Sequence, residues 1–161
     1  MCDANAILWR MTRALILAAL VIIGDARAAE PLVGTWRLER QELNGEKTDF
    51  EPLTLRISQS RDKFTFAFSM PVHNIHYVSM SYTVRLDGTE GDVKNGNGDK
   101  LGDVKITKAG ASQYKLVLRG PNRPQTSGTL TISSGGKTLT SESDAMQAGR
   151  AVHLMQTFAR P

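Results

Sequence analysis

Apolar residues recur at every second position through most of the chain beyond residue 32, and no other feature restricts the fold as tightly. Side chains on a strand point alternately to its two faces, so a period of two predicts half-buried β-strands. Trp36 and Leu38 share one face of a first strand, with Arg37 and Glu39 on the other. Leu53, Leu55 and Ile57 define a second, and Phe64, Phe66, Phe68 and Met70 a third, with Thr65, Ala67 and Ser69 opposite. A longer fourth strand places Val78, Met80, Tyr82, Val84 and Leu86 inward against Ser79, Ser81, Thr83 and Arg85. Shorter runs follow at Val104–Ile106, Tyr114–Leu118 and Leu130–Ile132. A last strand carries Val152, Leu154, Gln156 and Phe158 on one face and His153, Met155 and Thr157 on the other.

Turn residues separate these runs. Asn44-Gly45, Asp87-Gly88, Ala109-Gly110 and Gly135-Gly136 are chain reversals, because Gly and Asn tolerate positive φ. Residues 89–102 are poor in apolar side chains and predict a long loop, or weak strands around Val93 and Leu101. Residues 119–124 contain two prolines and form another connection, since Pro cannot join a central ladder. Residues 144–149 suggest one helical turn. No segment carries the pattern of a three-turn amphipathic helix. Eight to ten short antiparallel strands with hairpin links mean a sandwich or an up-and-down barrel. The sequential hairpins favour the barrel, which also leaves no exposed edge.

The N-terminus predicts export. An apolar run of about eleven residues, 14–24, follows Arg13 and ends before the small-x-small site Ala26-Arg27-Ala28. That length suits a signal-peptide core and is too short for a bilayer span, which needs about twenty residues. The expected division is a signal peptide over 1–28, with Met11 a better start than Met1, and one domain over 29–161. The domain would be periplasmic or secreted, with no transmembrane span once the leader is removed. The single cysteine, Cys2, falls in the leader, so the domain must hold together by packing alone. A net charge of +4, scattered along the chain, contains no basic block and argues against a nucleic-acid partner. A monomer is expected.

Gly34-Thr35-Trp36, opening the first strand, resembles the Gly-x-Trp signature of lipocalins and their calycin-type relatives. The resemblance implies that Trp36 plugs the closed end of a barrel and that an Arg at the end of the last strand, here Arg160, stacks across it. Such a cation–π contact is worth roughly 0.5–2 kcal/mol. The chain is similar in particular to lipocalin-like exported bacterial proteins, through Gly34–Leu38, Tyr82–Gly88 and Gly136–Thr140 in that order. It departs from classical lipocalins in having no second signature, no disulfide and no helix after the barrel.

Few residues suggest chemistry. His73 and His76 form a His-x-x-His pair, but residues three apart on a strand point to opposite faces, so they would ligate a metal only from a bend. His153 is distant in sequence. Glu39, Glu42, Glu46 and Glu51 resemble a solvated face and loop, and Asp99 to Asp103 lacks the spacing of a calcium loop. No nucleophile elbow and no thiol of the mature chain supports catalysis. The expectation is a non-enzyme without metal or cofactor.

The inward-facing residues are the better lead. Phe64, Phe66, Phe68, Met70, Met80, Tyr82 and Tyr114 would line a site for a small apolar or amphipathic ligand, with His76 and Tyr82 as polar handles. Gly34, Trp36 and Arg160 would be its structural signature. The alternative is a solid barrel that binds a protein partner through residues 89–102 and 119–124.

Overall fold

The computed structural model describes residues 30–72, 75–121 and 124–161; the side chains of Val72, His76 and Gln147 are not described. The predicted leader and His73 lie outside the described residues. All regular structure within them is β. Eleven strands run β1 (Gly34–Leu43), β2 (Glu46–Lys47), β3 (Thr54–Ser60), β4 (Lys63–Val72), β5 (Ile75–Val84), β6 (Gly91–Asn95), β7 (Lys100–Lys108), β8 (Gln113–Arg119), β9 (Thr126–Ile132), β10 (Thr138–Gln147) and β11 (Arg150–Ala159). Each pairs antiparallel with its neighbour in sequence, except that β1 pairs with both the two-residue β2 and β3. β11 returns to pair with β1, from Arg37 opposite Ala159 to Leu43 opposite Leu154. The ten long strands thus close into an up-and-down barrel.

Local chemistry explains most of the turns. Asn44 and Gly45 both adopt positive φ, 54° and 84°, and link β1 to β2 in two residues. That twist matches the right-handed twist of the strands, which is why Asn-Gly favours this turn. Ala148 and Gly149 do the same between β10 and β11, at 48° and 77°. Residues 144–149 are therefore a strand end and a hairpin, not the helical turn expected. Pairing continues to Gln147 opposite Arg150, and ladder hydrogen bonds outweigh the weak turn preference of Ala148.

Residues 89–102 are largely strand rather than loop. The Asn95 carboxamide oxygen accepts from the backbone amides of Asn97 and Asp99, at 3.0 and 2.9 Å, and shapes the turn. Lys100 then bridges Asp92 and Asp103, each at 2.7 Å. Polar cross-strand pairing here replaces the apolar periodicity that marks the other strands.

Of three bulges, one leaves Leu101 as an extra residue on β7, and two others change which residues face inward. On β5, Phe68 of β4 opposes Met80 while Ser69 opposes Val78, leaving Ser79 as the extra residue. The alternation beyond it inverts, so Val78 is exposed at 41% rather than sharing the inner face of Met80. The same shift sets position 76 opposite Pro71 in the register. A second bulge on β1 lies between Leu38 and Arg40. Beyond it Glu42 is 7% exposed, flanked by Met155 of β11 and Lys47 of β2, and paired with the Arg40 guanidinium. Glu42 therefore does not belong to the solvated face.

Candidate functional site

The interior divides along the barrel axis. At the end where β1 begins, the core is filled. Trp36, Leu32, Ile57, Val104, Ile106, Tyr114 and Leu139 are fully buried there. The segment before β1 folds across this end. The Trp36 indole Nε1 donates to the Leu32 carbonyl at 3.0 Å. The Tyr114 hydroxyl donates to the Glu30 carboxylate at 2.9 Å, and Lys108 reaches the same carboxylate at 2.6 Å. Burial, then the Glu30 hydrogen bond and charge, push the Tyr114 phenol above its ordinary pKa.

The structure brings Gly34, Trp36 and Arg160 together. The Arg160 guanidinium lies 4.4 Å from the Trp36 ring centroid. Its Nη2 donates to the carbonyls of Pro31, at 2.7 Å, and Val33, at 3.1 Å. Gly34 has φ +153°, and a Cβ there would stand 3.1 Å from the Arg160 Nη1. A glycine is what admits the guanidinium.

Toward the other end the barrel holds a cavity of about 770 Å³, within the usual range of small-molecule sites. One wall is aromatic and thioether: Phe66, Phe68, Met80 and Tyr82. Phe66 and Tyr82 stack with centroids 4.8 Å apart, and Phe68 leans on Tyr82 at 6.0 Å. Burial raises the Tyr82 phenol well above its ordinary value, so it stays neutral.

β10 lies five strands from β5 in either direction around the barrel, so it forms the facing wall. Its inward positions are small: Ser141, Ser143 and Ala145. On its flank Gln156 of β11 donates to the Gln41 side-chain oxygen at 2.8 Å, and Gln41 donates to Thr48 at 3.3 Å. Val152, Leu154 and Phe158 continue this side, and Leu116, Leu118 and Leu130 close the rest. Leu43 and Met146 stand exposed at the mouth.

Four of the eight residues expected to line a ligand site, Phe66, Phe68, Met80 and Tyr82, border this cavity. Phe64 and Tyr114 are instead buried in the core outside it. Met70 sits beyond the β5 bulge, paired with Tyr77 near the hairpin tip, and does not border the cavity. The side chain of His76 is outside the described residues. Sequence reasoning missed the β10 wall. Its signal was the alternation Leu139, Ser141, Ser143, Ala145 against Thr140, Glu142, Asp144, in which the inward residues are small rather than apolar.

The closed barrel, the indole plug under an arginine and the one-ended cavity define a lipocalin-like, calycin-type fold. A solved structure agrees. The chain matches zebrafish ileal bile acid-binding protein complexed with cholic acid at 25% identity and TM-score 0.57, covering 81% of this chain and 99% of that one. It also aligns with EF1p2_mFAP2b bound to DFHBI, at 15% identity and TM-score 0.46, over 84% of this chain and 98% of that one. The siderocalin Ex-FABP aligns at 14% identity and TM-score 0.44, over 81% of this chain and 74% of that one. No protein-family model matches the chain, and no curated protein is similar to it in sequence.

Proposed function

We propose that this protein is an exported carrier or sensor that holds one small apolar or amphipathic molecule in the open half of its barrel. The observation that carries the reading is the cavity of about 770 Å³ with rings on one wall and small residues on the other. A ligand there would displace water from apolar surface, gaining roughly 25 cal/mol per Å² buried. The structural likeness to a bile acid-binding protein supports a binding role rather than a catalytic one. A solid-core protein-binding module fits less well, because the interior is not solid.

Phe66, Phe68, Met80 and Tyr82 are the proposed contacts. Met80 supplies an adaptable surface and the stacked rings a rigid one. Export rests on the apolar run 14–24 and the site Ala26-Arg27-Ala28. Removal of residues 1–28 would leave Glu30 and Leu32, which seal the closed end, inside the mature domain.

The test is binding of the neutral fluorophore N-phenyl-1-naphthylamine, alongside native mass spectrometry of protein taken gently from the periplasm. Saturable binding of one probe per chain is expected, and Ala145→Trp, which projects an indole into the cavity, should abolish it while the protein stays folded. Absence of saturable binding to folded wild type, with a bare polypeptide mass, would overturn the carrier reading. A mature mass starting anywhere far from Ala29, or accumulation in the cytoplasm, would overturn the export reading.

A further inference from the structure

The cavity has a chemical polarity as well as a shape. Among the described residues that line it there is no Lys, Arg, His, Asp or Glu. Its polar side-chain atoms are neutral: Thr126, Ser141, Ser143 and Gln156 gather on one side, and Tyr82 stands across from them. Ser141 and Ser143 point inward from β10, and their hydroxyls make no hydrogen bond to another described residue. In the barrel register Ser141 stands opposite Gln156, and Gln156 opposite Gln41, so three polar side chains form a row across β10, β11 and β1. One end of the Gln156 amide is engaged by Gln41; the other has no partner among the described residues. Across the barrel stands the Tyr82 hydroxyl, which is likewise unpaired among the described residues.

These groups can donate and accept, but none supplies charge. Moving a carboxylate from water into such a site costs several kcal/mol unless a cation or a dense set of donors receives it. A hydroxyl or carbonyl loses far less and recovers most of it through one or two hydrogen bonds. We propose that the ligand is a neutral amphipath, an alcohol, ester or ketone rather than an organic acid, whose polar group is buried against Ser141, Ser143 and Gln156 while its apolar body lies along Phe66, Phe68 and Met80. This rests on the carrier reading and adds the charge class of the ligand and its orientation. The Tyr82 phenol belongs to the same neutral set, since even an ordinary phenol keeps its proton at pH 7.5.

The experiment is displacement of N-phenyl-1-naphthylamine at pH 7.5 by dodecan-1-ol and by dodecanoate, which share a chain and differ in charge. The alcohol is expected to displace the probe at a concentration at least tenfold lower than the acid. The double variant Ser141→Ala, Ser143→Ala should weaken dodecan-1-ol several-fold more than it weakens the probe, whose ring contacts lie on the opposite wall. Ser143→Lys, which adds a cation beside the row, should shift the preference toward dodecanoate. Equal displacement by the two compounds, tighter binding of dodecanoate, or an alcohol affinity untouched by the double variant would each overturn the proposal while leaving the carrier reading intact. Failure of the probe to bind folded wild type, with a bare polypeptide mass, would overturn the carrier reading itself, and the ligand class with it.

Discussion

The two ends of this barrel are built from the same strands and the same alternation, yet one is packed and the other is hollow. At the packed end each layer receives a large side chain: Trp36 from β1, Ile57 from β3, Tyr114 from β8, Leu139 from β10 and Leu32 from the segment before β1. At the hollow end β4 and β5 still contribute rings, but β10 contributes Ser141, Ser143 and Ala145. A barrel of ten strands is too wide for one wall of rings to reach across. Strand number sets the width, and the difference shows that side-chain volume on the wall facing the aromatics decides where that width stays open.

The contrast can be broken by substitution. Trp36→Ala carries the largest expected effect. It removes a fully buried indole from the packed end and should cost about 3–5 kcal/mol in chemical denaturation, with loss of the Arg160 stacking partner. An unchanged midpoint would mean that Trp36 does not plug the barrel. Tyr114→Phe deletes only the hydroxyl bond to Glu30 and should cost roughly 1–3 kcal/mol, because the acceptor is charged and partly buried.

Leu154→Ala trims the wall of a space that is already open, so no new void has to form. It should cost no more than about 1 kcal/mol while weakening probe binding several-fold. A cost near that of Trp36→Ala would show that both ends are equally packed.

The smallest effect is a pH dependence. Tyr82 and Tyr114 both hold their protons above the ordinary phenol value of 10.0, Tyr82 through burial and Tyr114 through burial and then Glu30. The unfolded chain gives up those protons first as pH rises. Their contribution to stability is therefore complete below about pH 10 and is lost progressively above it. Tyr82→Phe should leave the midpoint at pH 7.5 nearly unchanged and flatten the alkaline fall. An identical alkaline slope in Tyr82→Phe and wild type would remove Tyr82 from this account.

Much of the architecture was legible in the order of residues. The Phe64–Met70 run and the Val152–Phe158 run each mark a strand and its inner face, and Asn44-Gly45 marks a reversal whose positive φ values follow from those two residues. The cavity was only half legible. Phe66, Phe68, Met80 and Tyr82 stand out because large apolar residues at period two are conspicuous. Ser141, Ser143 and Ala145 do not, because a small inward residue looks the same on paper as an outward polar one. Val78 was misread for a different reason. A single extra residue, Ser79, inverts the alternation, and no side-chain pattern announces a bulge.

The sequence by itself determined the all-β class, most of the strands and most of their turns, and favoured a barrel over a sandwich, since period-two alternation and turn residues depend on neighbours within a few positions. It also placed Trp36 and Arg160 at the two chain positions that a meander must bring together. Tertiary structure alone decided which end is hollow, where the bulges fall and that β10 faces β5. Those features depend on what stands across the barrel, five strands away, and volumes facing each other at that distance leave no local trace in the chain.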